Sequence, residues 1–528
     1  MSVINAVLTE RSLRAACALI AGCAIAIFAF LTLATPLWSD EFLTKILLQA
    51  SSLPKLWSGI ASGIDGNPPL YLTAAWLIIQ PLPKLVSSVA VLKLINLGLT
   101  VVATFTLYRI GRRIASPSAC WIGAVLFITL NDNVLYVASE LRTYALFLFA
   151  AALAVLFQQR MIELRRPRDT SLAALAYVGL ALAHTFGIAY VFCIALAGLL
   201  SHPRERHQVR LAAVAVAPAV ITMAAWSPLL LDQLQVARPY AWMARPGLAE
   251  LLETLFASKM SMWLMLVELA CIATAAVSAM RKESIDVGPA GIDTRGQPFR
   301  YVMLVLVGIT AFTLIGWIAA IALFPLFVPR YFTPQLIVAF AVNVAFGEWM
   351  LRRARDQRTV AFVASAFLGA LIFVNVMDHV QGSFEEKPIC GDRNGNFFEM
   401  NFVRGDLPVI AESPHVFLPR LAYAAHGSVY RFPLDWEVVL KYPQRARGNA
   451  VDFHIMQNLQ TWAPMPTVMS TADIVHDFQE FLVIEQPGRA WFHNLLASGD
   501  VVAEKLATSD GDLPACTLWK VTKVRAAS

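Results

Sequence analysis

Charged residues are scarce in this chain of 528 residues: Asp, Glu, Lys and Arg make up 15% of it, and apolar residues make up 58%. Soluble domains carry roughly 25% charged residues. The composition therefore excludes a protein whose main solvent is water. The apolar residues form charge-free runs of about 17 to 25 residues, the length that crosses a hydrocarbon core. The sequence thus predicts a polytopic α-helical membrane protein.

Cysteine is also rare, and most of the seven cysteines lie in or beside apolar runs, where they are expected to act as small packing residues. Cys390 and Cys516 differ, because they bracket a polar C-terminal region. A pair placed in this way predicts one disulfide bond in an oxidising compartment.

Internal repeats and compact His/Asp/Glu clusters with metal-ligand spacing are not evident in the sequence. Transporters usually show repeats and charged groups near the membrane midplane. A transporter or flippase of lipid-linked sugars is therefore the alternative interpretation rather than the first one. A third is a non-catalytic assembly or sensor protein that uses its C-terminal region as a binding module.

About eleven membrane spans are predicted from the apolar runs. They cover residues 15–36, 88–108, 118–134, 144–159, 172–186, 187–200, 211–230, 261–280, 301–324, 335–351 and 360–377. The block 171–200 forms two helices only if the chain turns near His184 to Gly187. With that turn and a cytoplasmic N-terminus, clusters of basic residues alternate to the inside, as the positive-inside rule requires. The excess charge of +6 is explained by this topology rather than by a nucleic-acid ligand.

The predicted domain division separates a transmembrane domain, 1–379, from a soluble extracytoplasmic domain, 380–528. The first outer loop, 37–87, is assigned to the transmembrane domain. After Asp378 the composition becomes mixed and rich in proline. Runs at 481–485 and 516–521 predict strands and 471–480 predicts a helix, which indicates a small α/β unit.

Outward-facing loops carry ionisable groups at the membrane boundary, where such groups persist only if paired, hydrated or functional. Asp40 and Glu41 follow the first predicted span. Their alternative interpretation is a helix cap, in which Ser39 or Asp40 begins an interfacial helix over 43–57. Further along the same loop, Asn67 and Tyr71 flank a Pro-Pro turn, which also fits a helix start.

Two later outer loops contain arginine. Arg142 lies between Glu140 and Tyr144, and the spacing of four predicts that Glu140 and Tyr144 share a helix face. Arg330 lies in Pro-Arg-Tyr and is suited to bidentate contact with phosphate. The alternatives are a favourable helix N-terminus for Glu140, a headgroup contact for Arg142 and interfacial snorkelling for Arg330.

These motifs together resemble the GT-C glycosyltransferases that use polyprenyl-phosphate sugars, the group that contains protein O-mannosyltransferases and lipid A aminoarabinose transferases. The resemblance covers roughly residues 1–380. It consists of Asp40-Glu41, Pro68 to Tyr71, Glu140 to Tyr144, His184 to Gly187 and Pro329 to Tyr331. Members often carry His or Lys near the position of Asn67, and asparagine cannot carry positive charge. Arg142 and Arg330 are therefore the better candidates for phosphate binding.

The resemblance implies an enzyme of the cell inner membrane that transfers a sugar from a polyprenyl-phosphate donor to a glycolipid, glycan or protein acceptor. Asp40 would be the base, and Glu41 would share the acceptor proton network or hold an arginine. Tyr71, Tyr144, His184 and Tyr331 would position the donor. Some members use a divalent metal ion. No metal site is predicted here, and metal dependence stays open.

Overall fold

The structure is a computed structural model of the full chain. It describes residues 3–83, 87–202, 206–237, 245–256, 265–266, 269, 297–323, 325–356, 369–378, 380, 389–392, 396–405, 407–441, 443–510 and 515–524. These residues divide into two compact units. The first comprises 1–35, 67–227 and 245–381, and the second comprises 36–66, 228–244 and 382–528.

The first unit is helical. Its helices are α1 (Val3–Ala34), α4 (Leu70–Ile79), α5 (Ser88–Gly111), α6 (Pro117–Leu130), α7 (Asp132–Ser139), α8 (Tyr144–Leu164), α9 (Pro167–Ala183), α10 (Gly187–Ser201), α11 (Arg206–Ala237, of which 206–227 lie in this unit), α12 (Leu248–Phe256), α13 (Gln297–Ala322), α14 (Leu336–Asp356) and α15 (Gly369–Asp378). A 3₁₀ turn over Pro329–Gln335 precedes α14.

Several of these helices begin where the sequence supplies a cap. The Ser87 hydroxyl accepts from the amide of Ala90 at the start of α5. The Ser116 hydroxyl does the same for Ala119 in α6, where Pro117 occupies the first turn and has no backbone N–H that would need an acceptor.

Six helices among the described residues are long and apolar enough to cross a membrane: parts of α1, α5, α8, α11, α13 and the turn with α14. The pair α6 and α7, bent by 70°, makes a seventh if it is one broken span. Large aliphatic side chains stay exposed along these helices, such as Leu19 at 69% and Ile315 at 62%. Apolar side chains exposed in this way indicate contact with lipid.

Most predicted spans coincide with helices. The predicted turn near Gly187 is present, because α9 ends at Ala183 and α10 begins at Gly187. The span predicted at 261–280 lies outside the described residues except for 265–266 and 269, and the one at 360–377 is described only from Gly369. The fold class, a helical membrane protein with a C-terminal sheet region, is confirmed, and the total of eleven spans stays a prediction.

The second unit contains a six-stranded sheet in the order β3-β2-β1-β4-β6-β5. The strands are β1 (Val409–Ala411), β2 (Tyr430–Pro433), β3 (Val468–Met469), β4 (Glu480–Glu485), β5 (Val501–Thr508) and β6 (Thr517–Lys523). The first four are parallel, while β6 pairs antiparallel with both β4 and β5. The strands predicted at 481–485 and 516–521 correspond to β4 and β6.

Helices surround this sheet: α16 (Pro414–Tyr423), α17 (Trp436–Lys441), α18 (Pro443–Trp462), α19 (Thr471–Asp477) and α20 (Trp491–Ser498). Phe481, Val483 and Phe492 are fully buried in the core between β4 and α20. The predicted cysteine pair is joined by a disulfide bond, with a Cα–Cα distance of 5.3 Å between Cys390 and Cys516.

Residues 36–66 pack with the C-terminal region. They form two helices, α2 (Ser39–Leu47) and α3 (Leu53–Ala61), rather than the single helix considered over 43–57. The Trp462 indole donates to the Lys55 carbonyl at 2.8 Å, and the Asn458 amide donates to the Ser62 carbonyl at 2.6 Å. By its contacts, this half of the first outer loop belongs with residues 382–528, whereas the predicted division placed it with the membrane domain.

Candidate active site

The turn between α7 and α8 carries Glu140 and Arg142, both buried, at 6% and 9% exposure. The Asn96 amide, from inside α5, donates to the Glu140 carbonyl at 2.5 Å and to the Arg142 carbonyl at 3.3 Å. It also donates to the Tyr71 hydroxyl at 3.1 Å. One buried amide therefore fixes the arginine turn and links it to the first turns of α4.

Glu140 does not share a helix face with Tyr144, contrary to the expectation from their spacing. α7 ends at Ser139 and α8 begins only at Tyr144, so the two residues flank a break. Glu140 has an extended backbone there, with φ −73° and ψ 138°. The i, i+4 rule applies only inside a continuous helix.

Arg330 reaches the same turn through Tyr136 on α7. Its guanidinium donates to the Tyr136 hydroxyl at 3.2 Å. The same hydroxyl is hydrogen-bonded to the Glu140 carboxylate. Tyr136 therefore connects Arg330 on the 3₁₀ turn to Glu140, which lies 190 residues earlier in the chain. A cavity of about 20 Å³ beside Arg330 has room for about one water molecule.

His184 lies in the break between α9 and α10 and is buried at 3% exposure. Its ring stacks on Phe147 at 4.7 Å between centroids and lies 5.4 Å from the ring of Tyr331 and 6.1 Å from that of Tyr144. The charges of both Arg142 and Arg330 act on it. The histidine thus belongs to the wall of aromatic rings around the two arginines.

The first unit therefore brings together most of the predicted donor-binding residues: Tyr71, Glu140, Arg142, Tyr144, His184, Arg330 and Tyr331. Asn67 is half-buried and lies three residues before α4. The two arginines supply permanently charged, forked donors of the kind that bind phosphate.

Asp40 and Glu41 belong to the second unit, at the start of α2. Glu41 is 2% exposed, and its carboxylate accepts the backbone amide of Trp38 at 3.0 Å. Glu41 therefore caps the helix, a role that was considered for Ser39 or Asp40. Asp40 is partly exposed. Its convergence with Arg142 and Arg330 stays a prediction, because the arginines belong to the other unit.

Three polar residues of the first unit were missed by sequence reasoning: Lys93, Asn96 and Tyr136. Lys93 is 2% exposed inside α5 and donates to the Thr35 carbonyl at 2.7 Å. A lysine and an asparagine within an apolar run are costly in a membrane, which is a signal of a structural or functional role. Tyr136 gave no such signal, because a tyrosine near a membrane boundary is ordinary.

Within the described part of the chain, no group of three or more His, Cys, Asp and Glu side chains is placed to hold a metal ion.

Two solved structures share this fold over almost the whole chain. ArnT from Cupriavidus metallidurans bound to undecaprenyl phosphate matches with a TM-score of 0.52 and 10% identity, covering 95% of this chain and 97% of that one. This chain has the fold of ArnT. The apo form of ArnT matches with the same TM-score and coverage at 11% identity. No protein-family model and no curated protein matches the sequence.

The ArnT likeness confirms the predicted GT-C fold. At 10–11% identity it establishes the fold alone, because one fold can serve many activities.

Proposed function

We propose that this protein is an integral-membrane glycosyltransferase that moves a sugar from a polyprenyl-phosphate donor to a cell-envelope acceptor. The observation that carries the proposal is that the charges of Arg142 and Arg330 both act on the buried rings of His184 and Tyr144, while Arg330 also donates to Tyr136. The fold supports the proposal, because ArnT has the same fold and has been solved with undecaprenyl phosphate bound.

The arginines bind the donor phosphate in this proposal. Charge on the leaving phosphate grows as its bond to the anomeric carbon breaks, and fixed cations in a water-poor site stabilise that charge strongly. The Asn96 and Tyr136 contacts hold the two cations in place before the donor arrives. Tyr71, Tyr144, His184 and Tyr331 present ring faces and hydroxyls for contact with the sugar and the first part of the lipid.

Asp40 is the base in the proposed mechanism. It accepts the proton of the acceptor hydroxyl while that oxygen attacks the anomeric carbon from the face opposite the phosphate. The new glycosidic bond forms as the carbon–oxygen bond to phosphate breaks, so the anomeric configuration inverts. Glu41, which caps α2, sets the direction of the helix turn that carries Asp40. General-base help of this kind contributes about 10²- to 10⁴-fold.

The proposed orientation places the N-terminus in the cytoplasm and the region after Asp378 outside. Arginines concentrate in alternate loops, such as the one at Arg165 and Arg166 between α8 and α9, which supports it. The disulfide between Cys390 and Cys516 supports the same side for the C-terminal region, since such bonds persist in oxidising compartments.

Replacing Asp40 tests the proposal against a flippase or scaffold. Asp40→Asn keeps the size of the side chain and removes its basicity, so sugar transfer in purified protein should fall about 10²- to 10⁴-fold. Binding of undecaprenyl phosphate, measured by native mass spectrometry, should stay within a few-fold of wild type. Full transfer by Asp40→Asn would rule out Asp40 as the base, and absence of transfer by wild type with all polyprenyl-phosphate sugars of the cell envelope would rule out the enzyme.

A further inference from the structure

Helix α16 of the second unit lies against the segment that carries Asp40. At the end of α16, the Tyr423 hydroxyl accepts the backbone amide of Leu37 at 3.0 Å, and its ring meets Phe42 edge-on at 5.5 Å. At the start of α16, His415 Nδ1 lies 2.5 Å from the Ser39 hydroxyl. The end of α16 therefore contacts Leu37 and Phe42, and its start contacts Ser39, so α16 holds the segment on both sides of Asp40.

His415 continues into a chain of polar contacts. Its Nε2 lies 3.8 Å from the Asp452 carboxylate on α18. That carboxylate accepts from the Arg489 guanidinium at 3.1 Å, and Arg489 also donates to the Ser413 hydroxyl at 3.1 Å. The side chains of Asp452 and Arg489 are 18% and 12% exposed and are largely screened from solvent, while that of His415 is 33% exposed.

The contacts lie at a special place in the sheet. Ser413 and His415 follow β1, and Arg489 follows β4, its parallel neighbour. In the order β3-β2-β1-β4, β2 pairs with one edge of β1 and β4 pairs with its other edge, so the strand order reverses direction at β1. The carboxyl ends of strands at such a switch point form the crevice where open α/β sheets usually bind ligands. Here a side chain beside that crevice, His415, contacts the segment of this protein that carries Ser39 and Asp40.

Charge couples this chain of contacts to Asp40. Burial raises the pKa of Asp452, and the charges of His415 and Arg489 lower it, while the charge of Asp40 raises it further. Asp40 therefore lies near enough for its charge to act on Asp452. The carboxylate that faces His415 is therefore an electrostatic neighbour of the predicted base.

We propose that His415 is a positioning residue of the transferase. It holds Ser39 and thereby fixes the orientation of Asp40 toward the acceptor hydroxyl, with Tyr423 fixing the preceding backbone. This inference rests on the proposed function, since it assigns a role to side chains that support the same base. The C-terminal region is then a working part of the catalytic site rather than an appended module.

A hydrolytic Ser-His-Asp triad is excluded by the same contacts. Ser39 contacts Nδ1 of His415 rather than Nε2, and Asp452 is already paired with Arg489. In a triad the carboxylate orients the histidine through a close hydrogen bond, whereas His415 and Asp452 are 3.8 Å apart.

Kinetics of three variants test the positioning role. His415→Ala removes the contact with Ser39, and kcat should fall about 10- to 100-fold with KM for the donor little changed, as expected when a reacting group is displaced by about 1 Å. His415→Asn places an amide near the position of Nδ1 and should restore part of the loss. The control is His476→Ala, since His476 is an exposed histidine of the same region that pairs with Asp477.

Hydrogen exchange gives a readout that does not need activity. In full-length protein, the amides of α2 should exchange faster in His415→Ala than in wild type, and should not change in His476→Ala. If wild type transfers no sugar, the proposed function fails, and the exchange rates of α2 still decide the positioning role. Unchanged kcat in His415→Ala, or unchanged exchange of α2 in that variant, would overturn the inference.

Discussion

Two buried carboxyl groups of the C-terminal region differ in how they are stabilised. Glu399, fully buried, accepts from the guanidinium of Arg420 at 2.5 and 3.0 Å and from the Tyr430 hydroxyl at 2.8 Å. Glu412, also buried, accepts backbone amides instead, that of Phe492 at 3.3 Å and that of Gln486. Burial raises the pKa of Glu412 to about 7, although the nearby amide and Arg489 oppose the shift.

The raised pKa of Glu412 predicts a stability that falls with pH. The folded state holds the proton between pH 4.5 and about 7, where the unfolded state has lost it, so this group stabilises the fold at low pH and the benefit is lost as pH rises through that window. At about 1.4 kcal/mol per pKa unit, the loss approaches about 3 kcal/mol. Urea unfolding of the full-length protein at pH 5 and at pH 7.5, monitored by limited proteolysis of the C-terminal region, measures this loss of stability.

Glu412→Gln should remove this pH dependence, because its amide cannot ionise. The exposed Glu437→Gln variant serves as the control and should retain the wild-type slope. Equal slopes for wild type and Glu412→Gln would contradict the assignment.

Arg330 and Asn67 separate two assignments of the phosphate site. Arg330→Ala should weaken binding of undecaprenyl phosphate about 10- to 100-fold, since a hydrogen bond to a charged group contributes about 1.5–3 kcal/mol. Asn67→Ala should weaken it only a few-fold. Arg330→Lys should be intermediate, because lysine keeps the charge but not the fork geometry. Titration of detergent-solubilised protein measures these affinities, and a larger loss in Asn67→Ala would move the phosphate site to α4.

At the scale of elements, the break between α9 and α10 decides where His184 lies. The break depends on Gly187, because a Cβ there would lie 1.9 Å from the carbonyl oxygen of Leu180. Any side chain at position 187 would have to displace backbone. The separation of α9 from α10 was predicted from the sequence, whereas this close approach was visible only in the fold.

Gly187→Ala should therefore destabilise the protein by about 1–3 kcal/mol, the usual range for an inserted group that forces backbone to shift. The matched control is Gly179→Ala inside α9, where a Cβ meets nothing within 4 Å. That change should be neutral or stabilising by about 0.5–1 kcal/mol, since alanine favours helix. Thermal denaturation in detergent compares the two, and equal melting temperatures would contradict the turn geometry.

At the scale of the whole molecule, the proposed topology predicts the side on which each loop lies. An export-dependent reporter fused at Gly448 should be active, and the same reporter fused after Arg166 should be inactive. The physical reason is the retention of short arginine-rich loops on the cytoplasmic side. Activity after Arg166, or inactivity at Gly448, would reverse the topology and place Asp40 on the wrong side for a lipid-linked donor presented outside.

The sequence by itself determined the solvent of each region and the positions of most helices. Burial of apolar side chains in lipid depends on composition over about 20 consecutive residues, so α5, α8 and α13 follow from local pattern. The pairing of Cys390 with Cys516 followed from their isolation in a polar region. Alternation of apolar residues predicted β4 and β6 for the same local reason.

Only the tertiary structure decided which side chains meet. Asn96 with Glu140, Arg330 with Tyr136 and Ser39 with His415 are separated by 44, 194 and 376 residues, so no local pattern encodes these contacts. The break before Tyr144 and the packing of residues 36–66 with the C-terminal region belong to the same class. A polar group that is buried without a hydrogen-bond partner costs free energy. The partners of these groups come from distant parts of the chain and are in place only once the fold has formed.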